Sequence, residues 1–312
     1  MKAAWCYVLA ASLAFAAASC KKDVTEKPRA AEGPAEKALV KAPNVAGAFY
    51  PGDAEALAAA VRGRLAEGEP ALFSASVVAI MTPHAGYEYS GGVAATAFRQ
   101  LTGRRPATVV LLGPSHYCGS PGIAAGTYDG YETPLGVAQV DAELVADVAK
   151  RCADVAYSDA PFAKEHCLEV QLPFVQTLFP EARVAPFIFC RHDAAAAASF
   201  GKALAEVIAA KGADVLVVTT CDLSHYHPYD EAVRLDRAFL ATLEEFDEAA
   251  IFAGQETGRF EIDAPGAVAA TLRCAKELGA TKAVALEYKN SGDVTGDASG
   301  GVVGYVAAAI VK

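Results

Sequence analysis

Three histidines and an aspartate in this chain occupy the same place in the same local pattern. His84 in MTPHAGYEYSGG follows the apolar run SVVAI, His116 follows ATVVLLGPS, and Asp222 and His225 follow ADVLVVTTC. Each run has the length and β-branched content of a buried strand, and each gives way to turn-forming residues. Neutral imidazole is the commonest side-chain metal ligand and is also well suited to moving protons near neutral pH. A neighbouring carboxylate can complete a coordination sphere, or orient a ring or a metal-bound water. A lone histidine after a strand is more often an ordinary loop residue. Three of the chain's six histidines share this placement, however, which favours one joint site.

The elements that would bring these residues together are those of an α/β protein. In an open α/β sheet, ligands bind in the crevice outside the carboxyl ends of the strands, where loop side chains gather. The sequence predicts strands at 76–82, 107–112 and 214–219, and another in RVAPFIFC (183–190). It predicts helices over 54–68, 90–101, 141–152 and 194–211, an acidic, solvated amphipathic helix over 230–248, and a helix opening at Pro265, a residue suited to a first turn. YETPLGVAQVD reads as a short extended piece. In PFAKEHCLEVQLPFVQTLFP (161–180), helical spacing puts His166 and Glu169 on one face, where they would touch substrate or tie helix to rim. TKAVALEYKNSG and GVVGYVAAAIVK are two closing strands; the SGDVTGDASGG between them lacks EF-hand spacing and a P-loop lysine, so it reads as a hairpin-like connection. Alternation of strand and helix along most of the chain predicts α/β with a mixed, largely parallel central sheet flanked by helices.

With 312 residues, 53% hydrophobic, the chain can bury a large core. A formal net charge of −10 and the lack of a basic stripe argue against nucleic acid as a partner. Residues 1–20, MKAAWCYVLAASLAFAAASC, have a basic start and an apolar stretch too short for a confident membrane span, and end in small residues before a cysteine. This resembles a bacterial lipoprotein signal peptide. It implies an exported protein anchored to a membrane through lipidated Cys20 and facing the periplasm or exterior; an ordinary secretory signal and an uncleaved anchor are the alternatives. Residues 21–42, charged and rich in Pro and Ala, read as a tether, leaving 43–312 as the folded domain. Beyond Cys6 and Cys20, the six cysteines Cys118, Cys152, Cys167, Cys190, Cys221 and Cys274 form no CxxC pair, and buried free thiols are expected.

Taken in order, AGAFYPGD, PHAGYEYSGG, GPSHY, TPLG, EHCLEVQLPF, CDLSHY and SGDVTGD resemble the Memo-like family, labelled AmmeMemoRadiSam system protein B in bacteria, from about residue 43 to the C-terminus. The resemblance implies a single α/β domain like that of the class III extradiol dioxygenases. It implies that His84 and His116 bind metal, with Asp222 and His225 beside them. Members of the family usually carry a CGxxP pattern before the late helix; here the residues are EIDAP, so Glu261 stands at the cysteine position and Ile262 at the glycine. In the extradiol dioxygenases the corresponding ligand is a glutamate.

Two histidines and a carboxylate, His84, His116 and Glu261, would then hold Fe(II) with open positions for a bidentate catecholate and oxygen, although copper or zinc could occupy the same ligands. His225 would act as acid or base and Asp222 from behind it, on a small-molecule ligand of aromatic type. Tyr87, Tyr117 and Tyr226 are candidate stacking platforms or packing groups. The competing readings are that loss of the cysteine is loss of the metal, that Asp263 rather than Glu261 faces inward, and that the chain is a non-catalytic protein binding a metal, a ligand or a partner on the same fold.

Overall fold

Strand segments with no polar alternation must be covered on both faces, and four such segments form the middle of the sheet. In this computed structural model, which describes residues 38–68, 71–73, 76–117 and 122–312, these are β2 (Val77–Thr82), β3 (Thr108–Pro114), β8 (Arg183–Phe189) and β9 (Val215–Thr220). Apart from Arg183, every residue in them is buried. They lie parallel in the order β2-β9-β3-β8, with Ala79 opposite Val217, Val110 opposite Val217 and Leu111 opposite Pro186. Their carboxyl ends share one edge, which is where the chemistry-bearing residues follow.

Antiparallel strands extend both sides. The closing pair β11 (Lys282–Asn290) and β12 (Val302–Val311) adds through β12 to β2, and the short β10 (His225–His227) also pairs with β12. On the far side β4 (Ile123–Ala125) pairs antiparallel with β8, and β7 (Val155–Tyr157) lies parallel to β4. The extended piece expected near residue 130 is a hairpin, β5 (Gly130–Thr133) and β6 (Gly136–Gln139), joined by β1 (Val40–Lys41). β1 lies inside the segment read as a tether, so ordered pairing starts before residue 43. The expected signal at 1–20, with Cys6 and Cys20, the rest of that tether to residue 37, and Cys118 all lie outside the described residues.

Side-chain alternation along the central strands divides the apolar residues between two layers. Ile80, Leu111 and Val218 face α1 (Ala54–Ala66), α2 (Gly91–Arg99) and α4 (Leu172–Leu178) through Leu57, Phe98 and Phe174. Ala79, Leu112 and Val217 face α3 (Ala142–Arg151), α5 (Ala194–Lys211), α6 (Tyr229–Glu244), α7 (Glu248–Glu256) and α8 (Pro265–Glu277), through Leu144, Phe200, Phe239, Ile251 and Val268. The result is an α/β/α sandwich, and Ala38–Lys312 form one compact unit. Among the described residues no helix is long and apolar enough to cross a membrane.

Three local expectations change. Residues 161–180 do not form one helix: Glu169–Gln171 is a 3-10 turn, and α4 starts only at Leu172, with Pro173 in the first turn where its missing N–H costs nothing. His166 therefore lies ahead of the helix and does not share a face with Glu169. The Glu169 carboxylate accepts from the N–H groups of Asn44 and Val45 and from the Tyr50 hydroxyl, tying down the start of the domain. The connection between β11 and β12 contains α9 (Ser291–Thr295), opened by a capping box between Asn290 and Asp293. Cys190 is disulfide-bonded, whereas Cys152, Cys167, Cys221 and Cys274 are free and buried as expected.

The edge at β10 depends on a glycine. Tyr226 has φ +60, and the register with β12 shifts across it. Gly301 passes beneath with φ +85, and a Cβ there would come within 2.6 Å of the Tyr226 carbonyl oxygen. Gly301→Ala is expected to lower the unfolding free energy by about 2 kcal/mol, read from the urea midpoint. Gly300→Ala, with open space around it, should stay within about 0.5 kcal/mol of the parent. Equal midpoints for the two variants would mean that the close approach is not made.

Candidate metal centre

His84 is the first ionisable side chain after β2, and it is 1% exposed. Its backbone N–H donates to Asp222 Oδ1 at 2.8 Å, which joins the end of β2 to the end of β9. Its Nδ1 lies 2.9 Å from Thr220 Oγ1, the last residue of β9. Gln171 Nε2 donates to the same hydroxyl at 3.1 Å and to the Pro83 carbonyl at 2.9 Å. With one ring nitrogen held this way, Nε2 is directed to the other side, where Asp263 Oδ2 is 2.8 Å away. The two atoms face each other as a close ion pair, and neither makes a hydrogen bond among the described residues.

His116 follows β3 and is fixed by Glu165. The Glu165 carboxylate is 2.8 Å from His116 Nδ1 and accepts the His116 N–H at 2.7 Å, the His166 N–H at 2.9 Å and the Cys167 N–H at 3.1 Å. Burial pushes the Glu165 carboxyl up, but His116 and these N–H groups outweigh it and hold the pKa down to about 2. A carboxylate on Nδ1 favours the tautomer with Nε2 unprotonated. That nitrogen is 3.8 Å from Asp263 Oδ2, the oxygen that also faces His84.

His166 completes a group of three rings. It stacks on His116 with centroids 4.6 Å apart and planes at 25°, and stands edge-on to His84 at 5.7 Å and to Phe49 at 4.8 Å. Burial, together with the neighbouring His84 and His116, lowers its pKa to about 4, so it is an uncharged ring at neutral pH. His84 goes the other way: burial disfavours its charge, but Asp222 and Asp263 outweigh that and raise its pKa to about 9.

The two aspartates are driven apart. Burial and the neighbouring Asp263 charge push the Asp222 carboxyl up; at Asp263 burial also opposes ionisation, but His84 wins and holds it down. Asp263 is the anion facing the imidazoles, and Asp222 is the carboxyl behind them. Two overlapping sets, His84 with His116 and His166, and His84 with Asp222 and Asp263, have ligand atoms all within 4.8 Å of one another. That spacing suits donors sharing an ion at about 2 Å from each. The chain thus has a group of histidines and aspartates that could hold a metal.

The structure brings His84, His116, Asp222 and Asp263 together, but it does not bring Glu261 to them. The Glu261 side chain is 42% exposed, accepts the His225 N–H at 3.2 Å and lies 2.9 Å from His227 Nε2. The reason is local. Gln255 holds both the N–H and the carbonyl of Ile262, whose side chain is buried, and Asp263 exchanges contacts with Asp222 through its Oδ1 and its N–H. This draws Asp263, not Glu261, against the strand ends. His225 is near enough for its charge to act on Asp222 and Asp263. Tyr87 is a packing group whose hydroxyl donates to the Val170 carbonyl, whereas Tyr117 and Tyr226 are exposed. Cys167 and Cys221 are unpaired with each other and donate to the carbonyls of Pro114 and Asp222.

Four contributors were not singled out from the sequence. Glu165 lay within EHC, where a carboxylate beside a histidine is a ready partner for a ring. Thr220 and Gln171 carried no visible signal. His192 follows β8 just as His84 follows β2, and the strand-end pattern extended to RVAPFIFC would have found it; its Nδ1 accepts from Gly266 N–H at 3.3 Å at the start of α8.

Comparison with known proteins gives a consistent result. The profile described as Memo-like protein matches residues 41–309. A MEMO1 family protein of Methanopyrus kandleri is 34% identical over 278 residues, 86% of this chain and 98% of the relative. One from Aeropyrum pernix is 36% identical over 286 residues, with the same shares of the two chains. The crystal structure of an uncharacterized protein from Escherichia coli K12 superposes with a TM-score of 0.50 at 15% identity, covering 73% of this chain and 98% of the other, and so shares the fold. With that profile spanning nearly the whole compact unit, and relatives matched over almost their full length, this chain belongs to the Memo-like family.

Proposed function

We propose that this Memo-like protein holds a divalent metal between His84 Nε2, His116 Nε2 and a carboxylate oxygen of Asp263, and that the metal is Fe(II) serving extradiol-type oxygen chemistry. One observation carries the metal: His84 Nε2 and Asp263 Oδ2 are buried, 2.8 Å apart, and neither makes a hydrogen bond among the described residues. An unsatisfied buried polar atom costs about 1–3 kcal/mol, and an ion between the two would satisfy both. The donor set fits, because two imidazoles and one carboxylate form the facial triad that suits non-haem iron. Bound there, iron would supply Lewis acidity and open positions for a catechol-type ligand and oxygen.

The protein's own residues have definable parts in this reading. Glu165 fixes the tautomer and orientation of His116, and Thr220 with Gln171 does the same for His84. His225 takes the phenolic proton of the ligand, and Asp222 supports the charge on the ring side of the pocket. Tyr117 and Tyr226 stand exposed where an aromatic ligand would approach. A second reading has its own observation: His166 stacked on His116 offers a set of three imidazoles, which suits zinc or copper, in a protein that binds metal or a partner without turnover. Export and lipid attachment at Cys20 rest on the sequence of residues 1–20 and belong to the same proposal.

Anaerobically purified protein titrated calorimetrically with Fe(II) and Zn(II) should bind about one ion, and His84→Ala or Asp263→Ala should weaken binding at least about 100-fold, near 2.7 kcal/mol. Unchanged affinity in Asp263→Ala would remove this site from consideration. Oxygen uptake by the iron-loaded protein with a panel of catechols separates the two readings, since tight iron binding with no uptake on any of them leaves only the binding protein.

Glu165→Ala strips a partner from three backbone N–H groups and a ring. It should lower the unfolding free energy by about 3 kcal/mol in denaturant titration. In protein that remains folded, it should weaken metal binding by about 10- to 100-fold. Parent-like values for both would show that the His116 ring is held by something else.

A further inference from the structure

Glu261 and His227 lie away from the metal-ligand sets, yet they bracket the residue that bears on proton transfer. β10 pairs with β12 through His225 opposite Val303 and His227 opposite Val302, and the extra residue of the bulge is Tyr226. Tyr226 has φ +60, a left-handed conformation that strains an L side chain. Its ring is 77% exposed, so burial of that side chain does not compensate.

The compensation is polar and comes from a single carboxylate. Glu261 Oε1 accepts the N–H of His225, one residue before the bulge, and Oε2 faces Nε2 of His227, one residue after it, at 2.9 Å. Beneath the bulge Gly301 leaves room for the Tyr226 carbonyl. The His225 ring itself has no hydrogen bond to the described residues, and its ring neighbour is Tyr226 with centroids 5.8 Å apart. Among the described residues no hydrogen bond fixes that ring, so its placement follows the backbone that Glu261 holds.

We propose that Glu261, together with His227, is a positioning pair that locks the Tyr226 bulge and so presents the His225 imidazole to the ligand side of the metal pocket. The proposal rests on the reading of His225 as the acid or base. It gives Glu261, which stands at the family's cysteine position, a part other than metal ligation. An exposed ion pair alone would matter little. Here the carboxylate also takes the backbone N–H of His225, the residue just before the strained Tyr226, which ties it to one conformation of the chain.

The test uses Glu261→Ala, Glu261→Gln and His227→Ala in the full chain, with nitrogen-15-labelled histidine. Zn(II) affinity, the imidazole nitrogen signals of His225 in metal-free protein and the exchange rate of the His225 amide are measured. In Glu261→Ala the His225 ring signals should shift or broaden and its amide should exchange at least about tenfold faster, while Zn(II) affinity stays within about threefold. Glu261→Gln keeps an acceptor for the His225 N–H and should restore most of the amide protection; His227→Ala should give an intermediate effect. A loss of about 100-fold in Zn(II) affinity in Glu261→Ala would instead make Glu261 a ligand, and unaltered His225 signals would reduce the contact to a surface ion pair. Either result overturns the proposal. The metal reading fails separately, through unchanged affinity in Asp263→Ala, and that outcome leaves the His225 measurement intact.

Discussion

Because β2, β3, β8 and β9 are covered on both faces, almost nothing ionisable can sit within them, and polar chemistry is confined to the residues just beyond their last turns of pleat. Apart from Arg183 at the exposed start of β8, the polar side chains in the strands are threonines, and Thr220, at the carboxyl end of β9, meets His84. The parallel order brings the ends of β2, β9 and β3 side by side. His84, Asp222 and His116 thus become neighbours although nearly 140 residues separate the first contact pair. A one-residue slip in any of these strands would turn apolar side chains out of their layer, so the register that protects the core also aims the rings.

Once gathered, the charges sort themselves by burial and by what each can accept. Glu165 collects three backbone N–H groups and a ring, and stays ionised even though it is almost wholly buried. Asp222 is buried and close to a second carboxylate, and is pushed toward its protonated form; Asp263 faces His84 and is held as the anion. Two carboxyls in one pocket driven in opposite directions can carry different duties, Asp263 as the charge facing the imidazoles and Asp222 as the carboxyl behind them. His166, held neutral by its neighbours, keeps a lone pair where a charged ring would repel a cation.

Much of this was legible before any coordinates. The strand-end phase of His84, His116, Asp222 and His225 needed only the apolar runs, and the helix 194–211 falls where its composition put it. Helical spacing misplaces His166 relative to Glu169, because Pro173 can open a helix but not sit inside one, so α4 starts at Leu172 and His166 lies ahead of it. Glu165 is different: its value lies in three backbone N–H groups and one ring that converge on it, a convergence no spacing rule records. Lys41 is similar, a charged residue in a segment that composition marks as solvated, yet buried against Glu169.

The exchange between Glu261 and Asp263 shows why position in a motif and position in space can part company. Both are carboxylates, two residues apart, just ahead of the same helix, and only one can reach the rings. Ile262 decides which, because its side chain enters the core and its N–H and carbonyl are both held by Gln255, leaving the backbone no freedom to roll Glu261 inward. A glycine at that point, as in the family's CGxxP pattern, carries no side chain to anchor and permits a different path. With Ile262 seated, the donor facing the imidazoles is supplied two residues closer to Pro265, and the side chain at 261 is free to be engaged by the bulge at Tyr226.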